Sequence, residues 1–218
     1  MVNNAPSVYN SPSVYKSAGG GGGGGGDTPL PPEYQKLEYI RTKISSDTPE
    51  MAGGNIKLDY TDSIEGKFFF NEAIVGTNWI FFFYTWDMQQ RMFKIEGTNQ
   101  RSKFAWASSG VTEQNTNFVQ GDFKFSFSVA DGLKINGVTY PSNVGSNDGI
   151  KTLGRLAHFA LKQDCSMYGY VIKDISNNVK YNLVPALRIL DSKTGLYDTV
   201  NNSFITPVSG WDIPGPIV

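Results

Sequence analysis

The sequence predicts an all-β fold, a sandwich or barrel of short strands, and three observations carry that expectation. Phe123, Phe125, Phe127 and Val129 alternate with Lys124, Ser126 and Ser128, the period of a strand with one buried face. Asn136-Gly137 separates Leu133-Lys134-Ile135 from Val138-Thr139-Tyr140, and Asn-Gly supplies the two positive φ values that a two-residue hairpin turn needs. No window of about twelve residues shows a helical period. Gly, Asn and Ser turns recur between the apolar runs instead, as in sandwiches and barrels.

The first 26 residues stand apart from any core. Pro6-Ser7-Val8-Tyr9-Asn10-Ser11 is followed directly by Pro12-Ser13-Val14-Tyr15-Lys16-Ser17, a hexapeptide written twice, and Gly19 to Gly26 are all glycine. Composition alone reads as a solvated tail and flexible linker. The Val-Tyr pair in each copy is more than a solvating tail needs. Val8, Tyr9, Val14 and Tyr15 are therefore candidate anchor residues for docking an extended peptide on a partner, for instance by strand addition. The glycine run spans about 15 Å as a coil and roughly 28 Å when extended. Thr28-Pro29-Leu30-Pro31-Pro32 is a stiff bridge of polyproline character. The expected organisation is an anchoring peptide over 1–18, a linker over 19–32 and a β-domain over 33–218.

Within the domain, Leu37 to Ile44 reads as a first extended segment, and Ile56, Leu58 and Tyr60 alternate with polar residues. Gly66 to Val75 is rich in Phe. Asn78 to Trp86 is more apolar still and predicts a strand covered on both faces, with Trp79 in the core. Met92 to Glu96 and Lys103 to Ala107 are short strands, and Leu153 to Leu161 alternates again. Tyr168 to Thr206 predicts two strands joined by a Ser176-Asn177-Asn178 turn, then a Gly195-Leu196-Tyr197-Asp198 corner and a short closing strand.

Composition excludes several function classes. The chain has 218 residues, 19 basic and 20 acidic. The first 26 hold only Lys16, so the remainder carries a net charge of −2, without the basic footprint of a nucleic-acid binder or of an anionic-membrane anchor. The single cysteine, Cys165, allows neither an intrachain disulfide nor a cysteine-based zinc site. Met1 to Ser7 lacks a basic n-region and an apolar h-region, so no signal peptide is expected and the product is expected to be made in a cytoplasm. The longest apolar run, Trp79 to Tyr84, is too short to span a bilayer.

Leu37-Glu38-Tyr39-Ile40, the Asn136-Gly137 hairpin and the whole Tyr168–Thr206 segment carry a resemblance. The strand Val171-Ile172-Lys173, the Leu183-Val184-Pro185-Ala186 step, Gly195-Leu196-Tyr197-Asp198, Asn201-Asn202 and Phe204 are its best matches. Over roughly residues 34–210 the chain resembles the concanavalin A-like, laminin-G-like jelly-roll domains of tailed-phage virion proteins and of gut bacterial surface proteins. The resemblance implies a jelly-roll β-sandwich in which Pro185 suits an edge or bulge, Gly195 allows a positive φ at a corner and Tyr197 packs its ring and satisfies a backbone group. It says little about activity, because the fold hosts lectins, glycanases and inert spacers.

Catalytic chemistry finds little support. His158, the only histidine, is expected to be a packed or rim residue rather than a base. Cys165 is expected in a polar loop, with nothing to orient it against His158. Glycanases of the resembling group carry a Glu-x-Asp-x-x-Glu strand with its carboxylates on one face; Glu65, Glu72 and Glu96 are isolated here, and Asp59-Tyr60-Thr61-Asp62 lacks a partner. No phosphate loop precedes a helix. Loops such as Ser146-Asn147-Asp148 leave calcium open without EF-hand spacing, so no cofactor and no metal site is assigned. For sugar stacking, Trp86, beside Asp87, and Trp106, before Ala107-Ser108-Ser109-Gly110, are the candidate glycan-binding residues at a loop rim, a role with which core packing competes.

The expected function is that of a non-enzymatic structural and adhesive virion protein of a tailed phage, a head fibre or decoration protein at the virion surface. Residues 1–18 would anchor it to a capsid or tail protein, and the sandwich would face outward, with weak binding to host or mucus glycans. The resemblance further implies a homo-oligomer, a trimer. The competing expectation is a bacterial cell-surface or secreted carbohydrate-binding protein.

Overall fold

The computed structural model describes residues 29–42, 49–74, 79–85, 91–96, 101–107, 112–116, 120–142, 144–159 and 163–218. The expected anchoring peptide, with Val8, Tyr9, Val14 and Tyr15, lies outside the described residues, as do the polyglycine run and Trp86. Among the described residues every regular element is a strand, and the strands form two antiparallel sheets packed face to face as a sandwich.

The first sheet has eleven strands. Its main path runs β12 (Val138–Tyr140), β11 (Gly132–Ile135), β10 (Gly121–Ser128), β5 (Ser63–Phe70), β14 (Cys165–Lys173), β15 (Val179–Arg188), β16 (Lys193–Asp198), β17 (Ser203–Ile205). β1 (Tyr34–Lys36), β2 (Ile40–Thr42) and β19 (Ile213–Pro214) join it at the side. The second has eight: β18 (Pro207–Ser209), β3 (Glu50–Ala52), β13 (Lys151–Phe159), β6 (Trp79–Thr85), β7 (Arg91–Glu96), β8 (Arg101–Trp106) and β9 (Thr112–Asn115), with β4 (Lys57–Leu58) on β13.

The period-two stripe of β10 does what its pattern requires. Phe123, Phe125 and Phe127 point inward; Phe123 and Phe125 meet Phe82 and Phe93 of the opposite sheet, Phe127 meets Phe104 and Trp106, and the Phe82 and Phe123 rings stack at 4.5 Å with 12° between their planes, whereas Val129 lies past the end of the strand and is exposed. The Asn136-Gly137 turn has φ values of 49° and 82°, the doubly positive geometry of a tight hairpin, and it pairs Leu133 with Tyr140 and Ile135 with Val138. Gly195 corrects an expectation. It is not a corner residue with positive φ but an extended residue inside β16, opposite Ala186. A Cβ there would meet the Ile205 carbonyl oxygen at 2.4 Å and the Phe204 ring at 2.6 Å, so glycine is required by close approach.

Pro185 occupies a fork. β14 pairs with β15 only from Tyr170 to Lys173, and its other half, Cys165 to Met167, pairs with β2. β15 in turn changes partner from β14 to β1 after Leu183. Pro185 sits at that change, where its missing N–H costs no ladder bond, while its carbonyl accepts from the Leu37 N–H at 2.9 Å. β14 bulges at the same level, at Tyr168–Gly169. Gly169 has φ +116°, and a Cβ there would lie 2.1 Å from the Leu183 oxygen.

Two further expectations are corrected by burial. Cys165 lies in β14, fully buried, not in a polar loop; burial pushes its thiol pKa up well beyond the ordinary range. Trp106 is not at a rim. Its ring is fully buried against Phe127, at 4.6 Å, and its indole N–H donates to the Tyr60 carbonyl at 2.8 Å. Arg91 closes that end of the core: it is itself fully buried, its guanidinium lies 5.1 Å from the Trp106 ring, and it donates to the Asp148 carboxylate at 2.7 Å. Asp148, in the loop left open for calcium, thus already faces a guanidinium. Trp211, near the end of the chain, is also fully buried, its ring edge on Phe159 and its N–H donating to Ala157 O at 3.0 Å.

Candidate functional site

Strand β6 reads Trp-Ile-Phe-Phe-Phe-Tyr-Thr, and its burial alternates only up to a point. Ile80 and Phe82 are inside, and so are Phe83 and Thr85, while Trp79, Phe81 and Tyr84 are half-buried on the other face. The phase changes because β6 bulges. Phe81 pairs with Lys94 and Phe83 with Phe93, so Phe82 has no residue opposite it on β7. A bulge adds one residue and re-aims the side chains beyond it. The Tyr170 hydroxyl, coming across from the other sheet, donates to the Phe82 carbonyl at 2.8 Å within the core. β13 adapts to the irregularity, with Ala157 at φ 45° opposite the bulge, and turns Arg155 and His158 outward.

The outcome is a half-exposed aromatic strip on the outer face of the eight-stranded sheet. The Phe81 and Tyr84 rings meet edge-on at 5.1 Å, and His158 lies 5.9 Å from Phe81 and 6.1 Å from Tyr84. The Lys94 ammonium stands 4.2 Å from the Trp79 ring centre and 4.8 Å from that of Phe81, joining the two; Lys103 reaches Trp79 at 5.1 Å. Such contacts attract the cation to the ring face. Trp79 is therefore not the core residue its apolar run predicts.

Polar groups frame both ends of the strip. At one end the Arg155 guanidinium pairs with Glu50, whose second oxygen is 3.6 Å from His158 Nδ1. That separation is too long for a hydrogen bond, and Nδ1 has no hydrogen-bond partner among the described residues. Burial holds the His158 pKa below its ordinary value, with Glu50 opposing and Arg155 reinforcing the shift. Tyr84 is raised by burial. At the other end Lys103 pairs with Glu113, and Lys94 is lowered by burial and then by Lys103. The face thus offers ring planes flanked by donors and acceptors of both signs.

A concave surface lies on the outer face of the eleven-stranded sheet, beside the fork. It is a depression of about 370 Å³ with Lys67, Lys124, Lys134 and Tyr168 among its walls. The Lys67 ammonium stands 4.1 Å from the Tyr168 ring centre. Burial, with Glu38 next, pushes the Tyr168 hydroxyl up to about 12, so it stays a protonated donor.

Of the residues singled out for sugar contact, Trp106 is therefore unavailable as a stacking surface, and Trp79, Phe81, Tyr84, His158 and Tyr168 form surfaces that the sequence did not disclose. Among the described residues, no group of three His, Cys, Asp or Glu side chains is arranged to hold a metal ion. No family model, curated protein or solved structure matches the chain.

Proposed function

We propose that this chain is a non-enzymatic adhesive component of a tailed-phage particle, carried as a jelly-roll sandwich of the concanavalin A-like, laminin-G-like kind on an N-terminal anchor. The single observation that carries the adhesive part is the strip of Trp79, Phe81, Tyr84 and His158 across the outer face of the eight-stranded sheet. Pyranose rings present apolar C–H faces that pack flat on aromatic planes, and their hydroxyls need nearby donors and acceptors. Lys94, Arg155 and Glu50 supply these here. The surface is open, so one sugar gains little from it. Many copies on one particle convert weak sites into avidity, for which an oligomer, expected as a trimer, and a long glycine tether are suited.

The anchor rests on the doubled Pro-Ser-Val-Tyr repeat and the glycine run after it. A capsid or tail protein is its expected partner, at the virion surface.

The test has two arms. A glycan array probed with the full chain should give hits that Trp79→Ala and Phe81→Ala abolish; an array without hits, or hits that survive both changes, removes the adhesive reading. Particles assembled with a chain lacking residues 1–26 should not carry the protein. Particles that retain it would show that the anchor lies elsewhere.

A further inference from the structure

Three lysines lie side by side on the outer face of the eleven-stranded sheet. Lys67 of β5 is directly opposite Lys124 of β10. Lys134 of β11 is opposite Ser126, and so is the diagonal neighbour of Lys124. Directly opposed like charges weaken a strand pair, and diagonal neighbours remain within reach of long side chains. A chain with a formal net charge of −1 thus concentrates repelling cations in one place, and it does not neutralise them there. Neither Lys67 nor Lys124 forms an ion pair among the described residues; Lys67 lies over the Tyr168 ring instead, and Lys134 reaches only Asp131, at 3.6 Å. The acid among the walls, Glu65, is opposite Ser126 in the same row as Lys134 and is paired with Lys173 at 3.4 Å; Asp122, on the same face one step from Lys124, forms no ion pair with the three lysines among the described residues.

The second observation is concavity. The same lysines border the 370 Å³ depression, which the fork opens between them and Asn182. The wall beside the fork is close-packed: β14 bulges between Met167 and Gly169, and a Cβ on Gly169 (φ +116°) would lie 2.1 Å from the Leu183 oxygen and 3.5 Å from Pro185 Cδ. An ammonium held over a tyrosine ring places a charge beside an apolar plane, the pair of features that an acidic sugar presents in reverse.

We propose that this depression binds the acidic group of a saccharide, a sulfate ester or a uronate carboxylate, between the Lys67, Lys124 and Lys134 ammonium groups, with the sugar ring against Tyr168. The site is on the opposite sheet from the aromatic strip and uses none of its residues. It extends the adhesive reading by naming an acidic glycan as ligand, and it stands or falls separately from the strip.

Affinity electrophoresis of the full chain through gels containing chondroitin sulfate, polygalacturonate or neutral dextran tests it, with a short DNA duplex as a polyanion that is not a saccharide. The chain should be retarded by chondroitin sulfate, by polygalacturonate or by both, which distinguishes sulfate from carboxylate, and not by dextran. The double variant Lys67→Gln/Lys124→Gln should bind at least about tenfold more weakly, since a single charge-assisted hydrogen bond is worth that much. Trp79→Ala and a double change at the remote surface lysines Lys57 and Lys193 should leave retardation unchanged. Retardation by neither polysaccharide, undiminished retardation of the double variant, or equal binding to DNA would overturn the proposal. Loss on Trp79→Ala alone would also overturn it while leaving the aromatic strip in place.

Discussion

Removing one oxygen atom from the core should reveal how the two sheets are locked. The Tyr170 hydroxyl donates across the sandwich to the Phe82 carbonyl at 2.8 Å, and Tyr170 is 2% exposed. Tyr170→Phe keeps the ring, with its edge contacts to Phe68 and Phe125, and leaves a buried carbonyl lone pair without that donor. Stranding a buried polar group costs about 1–3 kcal/mol. For a domain of this size each kcal/mol lowers the melting temperature by about 2–4 °C, so a central value of about 2 kcal/mol corresponds to about 4–8 °C. Tyr181→Phe is the control. Among the described residues its hydroxyl accepts from the exposed Lys57 N–H at 3.1 Å, and surface changes of this kind stay within about 0.5 kcal/mol. Urea unfolding at neutral pH followed by tryptophan fluorescence measures both, with equal m-values confirming that the transition itself is unchanged. A Tyr170→Phe loss no larger than that of Tyr181→Phe would refute the idea that the β6 bulge is held by this bond.

The same geometry sets other outcomes. Cys165 is fully buried with a raised thiol pKa, so a thiol reagent at pH 8 should label it only at the rate of unfolding; fast labelling of the native chain would place it elsewhere. Gly195→Ala should cost about 1–3 kcal/mol through overpacking against Phe204 and the Ile205 carbonyl, and a melt unchanged from wild type would mean that β16 and β17 are not so close. His158 should titrate below pH 6.5 by NMR. Its neutral form is favoured by folding, so its contribution to stability is complete above the unfolded pKa and is lost as pH falls through the folded one. Glu50→Gln should lower the midpoint further, and a rise would contradict the assigned roles. Lys124→Glu should raise the melting temperature by about 1–3 °C by placing a carboxylate opposite Lys67, while abolishing retardation by acidic polysaccharides; a stability loss would show that the lysines are not in mutual repulsion.

Much of the fold was legible in the residues because one signal dominates it. Strict alternation in Gly121–Ser128 and the Asn136-Gly137 turn each have a single structural solution, and the hairpin falls where its turn residues put it. What could not be read was the phase of strands that break alternation. In Trp79–Thr85 every residue but the last is apolar, so nothing marks the bulge at Phe82 that sends Trp79, Phe81 and Tyr84 outward. The same limit hid the burial of Trp106, since a tryptophan before a Ser-Gly loop is compatible with a rim until the Tyr60 carbonyl is found at its indole N–H. Gly195 and Pro185 were legible as special positions, but the reason lies in distant segments, the Phe204 ring and the Leu37 amide, that no local pattern names. The lysine cluster was invisible for a related reason: Lys67, Lys124 and Lys134 become neighbours only through register.

The indole N–H signals of the chain's four tryptophans offer the most direct test of the adhesive reading. In two-dimensional NMR of the uniformly ¹⁵N-labelled chain, the best neutral ligand from the glycan array should shift the Trp79 signal on titration. The Trp106 and Trp211 signals, whose N–H groups are bonded inside the core, should stay in place. A ligand that binds while Trp79 stays still, or that shifts only Trp86, would contradict the claim that the outer face of the eight-stranded sheet is where sugar is held.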